Sequence, residues 1–513
     1  MLGAWVAVGF WIVMVILTNR KQHPKALFFL FLVELWERFS YYGMRAFLVL
    51  YLTKTTLEGG FEFTKVVGNG IYAAYVALVY LTPLAGGYLA DKYLGFRRSI
   101  IWGALLMAFG QFTLSASNST EPNNEPLLYI GLSLLVIGNG FFKPNISSLI
   151  GRFYPQGDSR RDGAFTIFYM GINIGAFLAP LTCGTVAELE GWRYGFMLAG
   201  CGMLLGLGIF LYTCSTGILE TKADPPLEAG AYRGIGGFGP VPLIYLGSFL
   251  AIPLLYLLIV KNEVMDYLLS AIVLTAVGYM IWISLQYPKA ERERIWVIIV
   301  LFFFTTIFWA LFELAGGALN LFTDKHVSKS VMGLFTLKTS NFQALNPLFI
   351  MLFAPLFSIM WIQLAKRNRE PSAPIKFAFS LIFVGAGFLV MNLGNSFASE
   401  AMVPALFLIL LYLLHTIGEL AMSPVGLSLV TKLAPAKVVG FMMGFWFLST
   451  SLGSQAGAWI GKFMAGENPN ATPDESLQLA LGVFNTIGLF AIGSGVFLLV
   501  LSPIIKRWMH GIK

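Results

Sequence analysis

Apolar runs of about 20 residues recur along the whole chain with short polar loops between them, and this repetition constrains the fold more tightly than any other feature. At a rise of 1.5 Å per residue, one such run crosses a hydrocarbon core about 30 Å thick. Of the 513 residues, 57% are hydrophobic and 12% charged, against about 25% charged in a soluble domain. No water-soluble fold hides that much apolar surface. The runs are continuous rather than alternating, which excludes a membrane β-barrel. The chain is therefore expected to be an all-α polytopic membrane protein. Fourteen spans are predicted, at 26–52, 66–90, 99–117, 127–151, 164–187, 194–216, 240–260, 264–286, 295–322, 341–365, 376–397, 402–431, 438–464 and 478–505. Residues 2–18 form a further apolar run, short for a span and without the basic region and small-residue cleavage site of a secretory signal. An extra helix, a surface anchor and a mis-assigned start all stay open for it.

In a soluble protein a net charge of +8 would suggest nucleic acid or another anionic partner, but here the distribution matters more than the sum. With the loop before Phe28 placed inside, the inside segments hold about 23 Lys and Arg, the outside segments about 8 and the spans 3 (Arg38, Arg45, Lys143), which accounts for all 34. Inside clusters include Arg20, Lys21 and Lys25, then Lys92, Arg97 and Arg98, then Arg152, Arg160 and Arg161, then Lys366, Arg367 and Arg369. Both ends of the fourteen-helix unit are expected in the cytoplasm, in a cell (inner) membrane, with the bilayer and not nucleic acid as partner. Cys183, Cys201 and Cys214 match no metal-ligand spacing and are expected to pack among apolar groups. Of the four histidines, His415 lies inside a span, where a hydrogen-bonded structural role is expected. No metal site and no cofactor are expected. An HExxH, a GxSxG at a strand-to-helix turn and a P-loop are all absent, so an enzyme is not expected either.

Compared with itself, the chain shows a weak duplication. Gly138, Pro144, Ser148, Leu149 and Pro155 recur as Gly418, Pro424, Ser428, Leu429 and Pro435, all at one constant offset. At nearly the same offset, Phe168, Tyr169, Asn173 and Gly175 fall opposite Trp446, Phe447, Ser451 and Gly453. The pattern predicts an N-terminal apolar segment and basic linker at 1–24, a six-helix bundle at 25–218, cytoplasmic linkers and an inserted helical hairpin at 219–294, and a second six-helix bundle at 295–513. Substrate is expected near the midplane between duplicated halves. The segment Gly87-Tyr-Leu-Ala-Asp91-Lys92-Tyr-Leu-Gly95-Phe-Arg97-Arg98 resembles the loop signature of the major facilitator superfamily, which implies that architecture.

Seven ionisable side chains fall within the spans: Glu34, Glu37, Arg38, Arg45, Lys143, Glu313 and Glu419. Each costs about 2.5–3.5 kcal/mol in a membrane helix, so such groups turn inward and usually carry function. At 100° per residue, Glu34, Arg38, Tyr41 and Arg45 lie within about 60° of arc and make one stripe about 16 Å long, with Glu37 beside it. Trp309, Glu313, Gly316 and Asn320 share one helical face by spacing, as do Tyr169 with Asn173 and Glu419 with Ser423. Permanent ion pairs that fix helix packing are the alternative for the same residues. Four Glu against two Arg and one Lys leave a charge of minus one, which a single proton neutralises, and crowding and desolvation favour that proton.

The run Glu34-Leu-Trp-Glu37-Arg38-Phe39-Ser-Tyr41-Tyr42-Gly43 resembles the ExxERFxYYG motif of the proton-dependent oligopeptide transporter family. Phe168-Tyr169-Met-Gly-Ile-Asn173-Ile-Gly175 is similar to the family's FYxxINxG segment, and Phe308-Trp309-Ala-Leu-Phe312-Glu313 to its motif in the seventh bundle helix. The resemblance runs from about residue 25 to the end and includes the inserted helical pair of prokaryotic members. It implies proton-coupled symport of di- and tripeptides into the cytoplasm by alternating access, protons being the coupling ion, in a protein functional as a monomer. It implies proton coupling at Glu34, Glu37, Arg38 and Glu313, and a gate salt bridge between Arg45 and Glu313. Arg45 and Lys143 would attract the peptide carboxylate and Glu419 hold the amino terminus. Tyr41, Tyr80, Asn173 and Asn346 would hydrogen-bond the peptide, Ser423 would sit beside it, and Trp309 and Trp446 would wall the pocket. Packing roles stay open for Tyr41, Tyr42, Trp309 and Trp446, as does a helix-kink role for Asn346 before Pro347. The chain departs from the family in Ala176, where serine is frequent, and in lacking the histidines of animal and plant relatives. Other proton-coupled facilitators, for nitrate, an amino acid or a drug, share the architecture, and a non-transporting peptide sensor is a third reading.

Overall fold

The computed structural model describes residues 2–118, 124–155, 158, 160–225, 239–435, 438–465 and 471–512. Part of the predicted linker, 226–238, lies outside them. The elements in chain order are α1 (Leu2–Asn19), α2 (Lys25–Thr53), α3 (Lys65–Leu89), α4 (Gly95–Ser117), α5 (Glu125–Gly151), α6 (Arg161–Ala179), α7 (Thr185–Glu190), α8 (Trp192–Ser215) and α9 (Pro240–Leu250). They continue with α10 (Ile252–Val260), α11 (Asn262–Ser284), α12 (Lys289–Phe312), α13 (Ala318–His326), a two-strand ribbon β1 (Ser330–Val331) and β2 (Phe335–Thr336), then α14 (Leu345–Lys366), α15 (Ala373–Asn395), α16 (Ala405–Leu433), α17 (Val439–Ala465) and α18 (Pro473–Trp508). The fold is all-α and polytopic, with a helix at every predicted span. Twelve stretches among the described residues are long and apolar enough to cross a membrane, and one of them, Lys65–Ser117, joins α3 and α4 through a π turn at Ala90–Leu94. Glu34, Glu37, Arg38 and Arg45 keep α2 out of that count, which marks it as the helix whose charges the bundle must absorb.

The chain divides into two compact units, Met1–Phe63 with Leu78–Lys261, and Thr64–Ala77 with Asn262–Lys513. In the first, α2 packs against α6 and α8, while α4 packs against α5 and α8. Glycine makes the closest approach possible: a Cβ at Gly175 on α6 would stand 2.3 Å from Leu35 O and 2.9 Å from Arg38 Cβ. The first arm of the inserted hairpin lies on this unit, with Tyr245 stacked on Trp102 at 4.4 Å and Tyr256 edge-on to Tyr129 at 5.2 Å. In the second unit, α15 packs against α16 and α18, and α12 against α17. The hairpin's other arm, α11, is held there by Asp266, which accepts from Trp459 Nε1 at 2.9 Å and from Gln455 Nε2.

The duplication is visible in the helices themselves. Pro144 stands at the same step from the start of α5 as Pro424 does from the start of α16. Two sequence expectations need correction. The face shared by Trp309, Glu313, Gly316 and Asn320 is broken, because α12 ends at Phe312, Glu313–Gly316 is a 3₁₀ turn, and α13 begins after Gly317. A 3₁₀ turn advances about 120° per residue rather than 100°, so the register is lost. Gly317 stands at φ −115°, ψ −110°, and a Cβ there would meet Asn69 Oδ1 at 2.8 Å. Secondly, Cys183 is buried and Cys214 half-buried, but Cys201 is exposed on α8.

Beyond the 3₁₀ turn, His326 is 3% exposed, with its ring nitrogens facing Ala401 O and Ser476 Oγ, each at 3.1 Å. Burial first, then the charges of Lys325, Lys65 and Lys329, outweigh the Ala401 bond and push its pKa down to about 4. The folded protein thus binds this proton less readily than the unfolded chain. Stability from this site is complete above pH 6.5 and drains away as pH falls toward 4. His326→Gln is expected to flatten the acid limb of the thermal midpoint between about pH 7 and 4.5 in detergent; an unchanged pH slope would refute the assignment.

Candidate functional site

Helix α2 carries the central cluster. Arg38 Nε lies 2.8 Å from Glu34 Oε1 and 2.6 Å from Glu37 Oε2, with all three side chains at most 4% exposed. One cation between two acids leaves this group negative. From α5, Asn139 Nδ2 donates to Glu37 Oε1 at 3.4 Å, and Lys143 joins Arg38 and Glu34 among the charges acting on Glu37. Glu34 Oε2, Arg38 Nη2 and Asn139 Oδ1 are buried with no hydrogen-bond partner among the described residues. Buried polar atoms are nearly always paired, so the cluster has spare capacity for a proton or another polar group.

The first unit's other candidate residues lie on α2, α3, α5 and α6. Tyr41 is 3% exposed, with the Arg38 guanidinium 5.8 Å from its ring centre. Arg45, 7% exposed, stands 5.7 Å from the Tyr42 ring. Lys143 holds its ammonium 4.4 Å over the ring of Tyr80, a cation–π contact that accommodates charge in an apolar setting. Asn173 is buried and donates to Tyr169 O at 2.9 Å, while Tyr169, one turn earlier on α6, is 44% exposed.

The second unit gathers its residues into two places. Trp309, Ser423 and Trp446 line a small cavity of about 60 Å³ together with Thr305, Gly426 and Thr450. Glu419 Oε2 accepts from Asn346 Nδ2 at 2.8 Å, and the same nitrogen lies 3.1 Å from Thr416 Oγ1. That carboxylate is half-buried. Glu313 is 4% exposed at the mouth of the 3₁₀ turn. His415, also inside α16, is buried with Nε2 3.1 Å from Val384 O, as a structural histidine should be.

Sequence reasoning passed over Asn139, Thr416 and Tyr42 as site residues. Spacing held the signal for the first two: Asn139 precedes Lys143, and Thr416 precedes Glu419, by one helical turn on the same face. The superfamily-like loop has its own contacts. Arg97 pairs with Asp224 at 3.0 Å, beyond α8, and Lys92 leans on Tyr88 and Tyr93.

A family model described as the POT family matches residues 97–225 and 252–473. The chain belongs to the POT family. Among its relatives, the peptide transporter YePEPT of Yersinia enterocolitica is 35% identical over 95% of this chain and 96% of its own length. The di-/tripeptide transporter of Lactococcus lactis subsp. cremoris is 34% identical over 96% and 97%. The crystal structure of the peptide transporter POT in complex with sulfate aligns with a TM-score of 0.81 at 37% identity, covering 95% of this chain and 96% of that one. A mutant of that transporter in complex with alafosfalin gives 0.82 at 36%, with the same coverage. This POT chain is thus a multi-pass membrane transporter whose relatives are transporters and not enzymes.

Because Arg38 is the cation that pairs with both Glu34 and Glu37, removing it strands two buried carboxylates, at a cost of about 3–5 kcal/mol. Arg38→Gln is expected to lower the thermal midpoint sharply in detergent, and Arg38→Gln with Glu34→Gln to recover part of the loss. Equal midpoints for the wild type and the single variant would disprove the pairing.

Proposed function

We propose that this POT chain is a proton-coupled symporter that carries di- and tripeptides into the cytoplasm by alternating access. The segregation of charge carries this reading. In the first unit Arg38, Arg45 and Lys143 exceed Glu34 and Glu37 by one positive charge, whereas the span charges singled out in the second unit, Glu313 and Glu419, are both acidic. A zwitterionic peptide needs a cationic pole for its carboxylate and an anionic pole for its amine. Arg45 and Lys143 serve the first and Glu419, steadied by Asn346, the second. Tyr41, Tyr80 and Asn173 supply hydrogen bonds, and Trp309, Ser423 and Trp446 form the apolar wall for varied side chains. A peptide that binds both poles favours the closed state, which is how binding becomes a transport step.

Protons enter at the α2 cluster, where Glu37 and Glu34 share one guanidinium, and Glu313 exchanges a proton against its pairing with Arg45. Each charge moved across the membrane contributes about 2.3 kcal/mol per 100 mV, enough to drive accumulation. The basic loops favour a cytoplasmic position for both ends of the fourteen-helix unit, and a single chain holds both poles, so the monomer suffices.

The test is radiolabelled dipeptide uptake into proteoliposomes under an imposed proton gradient. Uptake should be abolished by a protonophore, competed by a tripeptide and unaffected by nitrate; competition by nitrate but not by peptide would move the reading to another facilitator substrate. Glu37→Gln and Lys143→Ala should each reduce proton-driven uptake at least tenfold, about 1.4 kcal/mol or more in the driving step. Glu419→Ala should mainly weaken discrimination between free and N-acetylated dipeptides. Wild-type accumulation in these variants would overturn the roles given to them.

A further inference from the structure

The helix at the start of the chain is used by none of these roles. Residues 2–19 contain no Asp, Glu, Lys or Arg, and Leu2, Val6, Phe10, Val13, Met14 and Leu17 present exposed apolar side chains along it. A helix lying in the membrane interface needs a polar, commonly basic, face, and this one has none. Its length is about 27 Å, close to the thickness of a hydrocarbon core.

Its contacts fix its direction. The turn at 20–24 joins α1 to α2, and Trp5, near the far end of α1, stacks on Trp36 with ring centres 6.1 Å apart and lies 5.8 Å from Phe39. Counted from that turn, Trp5 lies about four helical turns back along α1, and Trp36 and Phe39 about three to four turns forward along α2. Near-equal paths from one turn make α1 and α2 an antiparallel hairpin in contact about 20 Å from that turn. A helix lying flat at the end of α2 would carry Trp5 away from both rings. Trp5 Nε1 also donates to Thr182 Oγ1 at 2.9 Å, in the π turn between α6 and α7. At the turn end, His23 Nδ1 is 2.9 Å from the Tyr154 hydroxyl, Arg160 donates to Gln22 O at 3.0 Å, and Arg20, Lys21 and Lys25 cluster. On α2, Trp36 and Phe39 stand about 150° around the helix from the stripe of Glu34, Arg38 and Arg45.

We propose that α1 is an additional membrane span, antiparallel to α2, docked through Trp5 on the back of the charged helix, so that residues 2–4 lie outside the cell. The inference rests on the membrane fold and on the basic turn facing the cytoplasm, and it is independent of what the protein carries.

Single cysteines placed at Gly3 and Gln22 in the full chain, read above the background of the three native cysteines, test it with a membrane-impermeant maleimide. Gly3→Cys should label on intact cells and Gln22→Cys after permeabilisation. Labelling of Gly3→Cys after permeabilisation only, or an intact mass lacking residues 2–19, would overturn the span. Docking has its own readout: Trp5→Ala should lower the thermal midpoint of the purified protein by about 2–4 °C, with Trp5→Phe, which keeps the stack and loses the bond to Thr182, in between. An unshifted Trp5→Ala protein would overturn the docking and leave the labelling result to judge the span by itself.

Discussion

Charge in hydrocarbon has to be answered by charge close at hand, and the first unit is organised around that requirement on α2. Arg38 serves two carboxylates on its own helix, so one of the motif's two negative charges is answered before any other helix arrives. The neighbours then supply what remains: Asn139 reaches Glu37 from α5, and Gly175 removes the side chain that would keep α6 away from Arg38. A cluster closed this tightly, with polar capacity left over, is costly as a packing device, because an apolar core of similar volume is often as stable. It is well suited to a group that gains and loses a proton.

The repeated pattern on α5 and α16 carries opposite chemistry. At the offset that aligns the two prolines, Asn139 and Lys143 on α5 fall opposite Glu419 and Ser423 on α16. Both helices keep their proline at the same step, but one carries a cation just before it and the other an anion one turn earlier. A cation resting on the Tyr80 ring and an anion held by Asn346 are two ways of steadying a charge within a span with a neutral neighbour.

The two units differ most where helices end. In the first, α3 passes into α4 through a π turn, and α6 continues through another at Pro180–Gly184. In the second, α12 stops at Phe312 and α13 begins beyond Gly317. Such breaks free backbone groups that lipid cannot satisfy, and they persist in membranes where protein surrounds them; Glu313 and Gly316 are both buried.

The all-α membrane class, the positions of the spans, the duplication and the identity of the charged residues could all be read from the chain without coordinates. Each follows from a local quantity: apolar length against bilayer thickness, proline spacing, or the cost of a charge. The motif on α2 was legible because its i, i+4 pair is built within one helix. Packing between helices settled the remainder. Asn139 and Thr416 acquire partners only through it, and beside the break at Glu313 Asn69 comes close enough to Gly317 that a Cβ there would clash. Whether residues 2–19 had a place in the bundle was likewise open at the level of residues, since an apolar run of that length fits several environments equally well. Trp5 against Trp36, Phe39 and Thr182 supplied the missing constraint, because a stacked ring and a hydrogen bond specify direction where hydrophobicity alone does not.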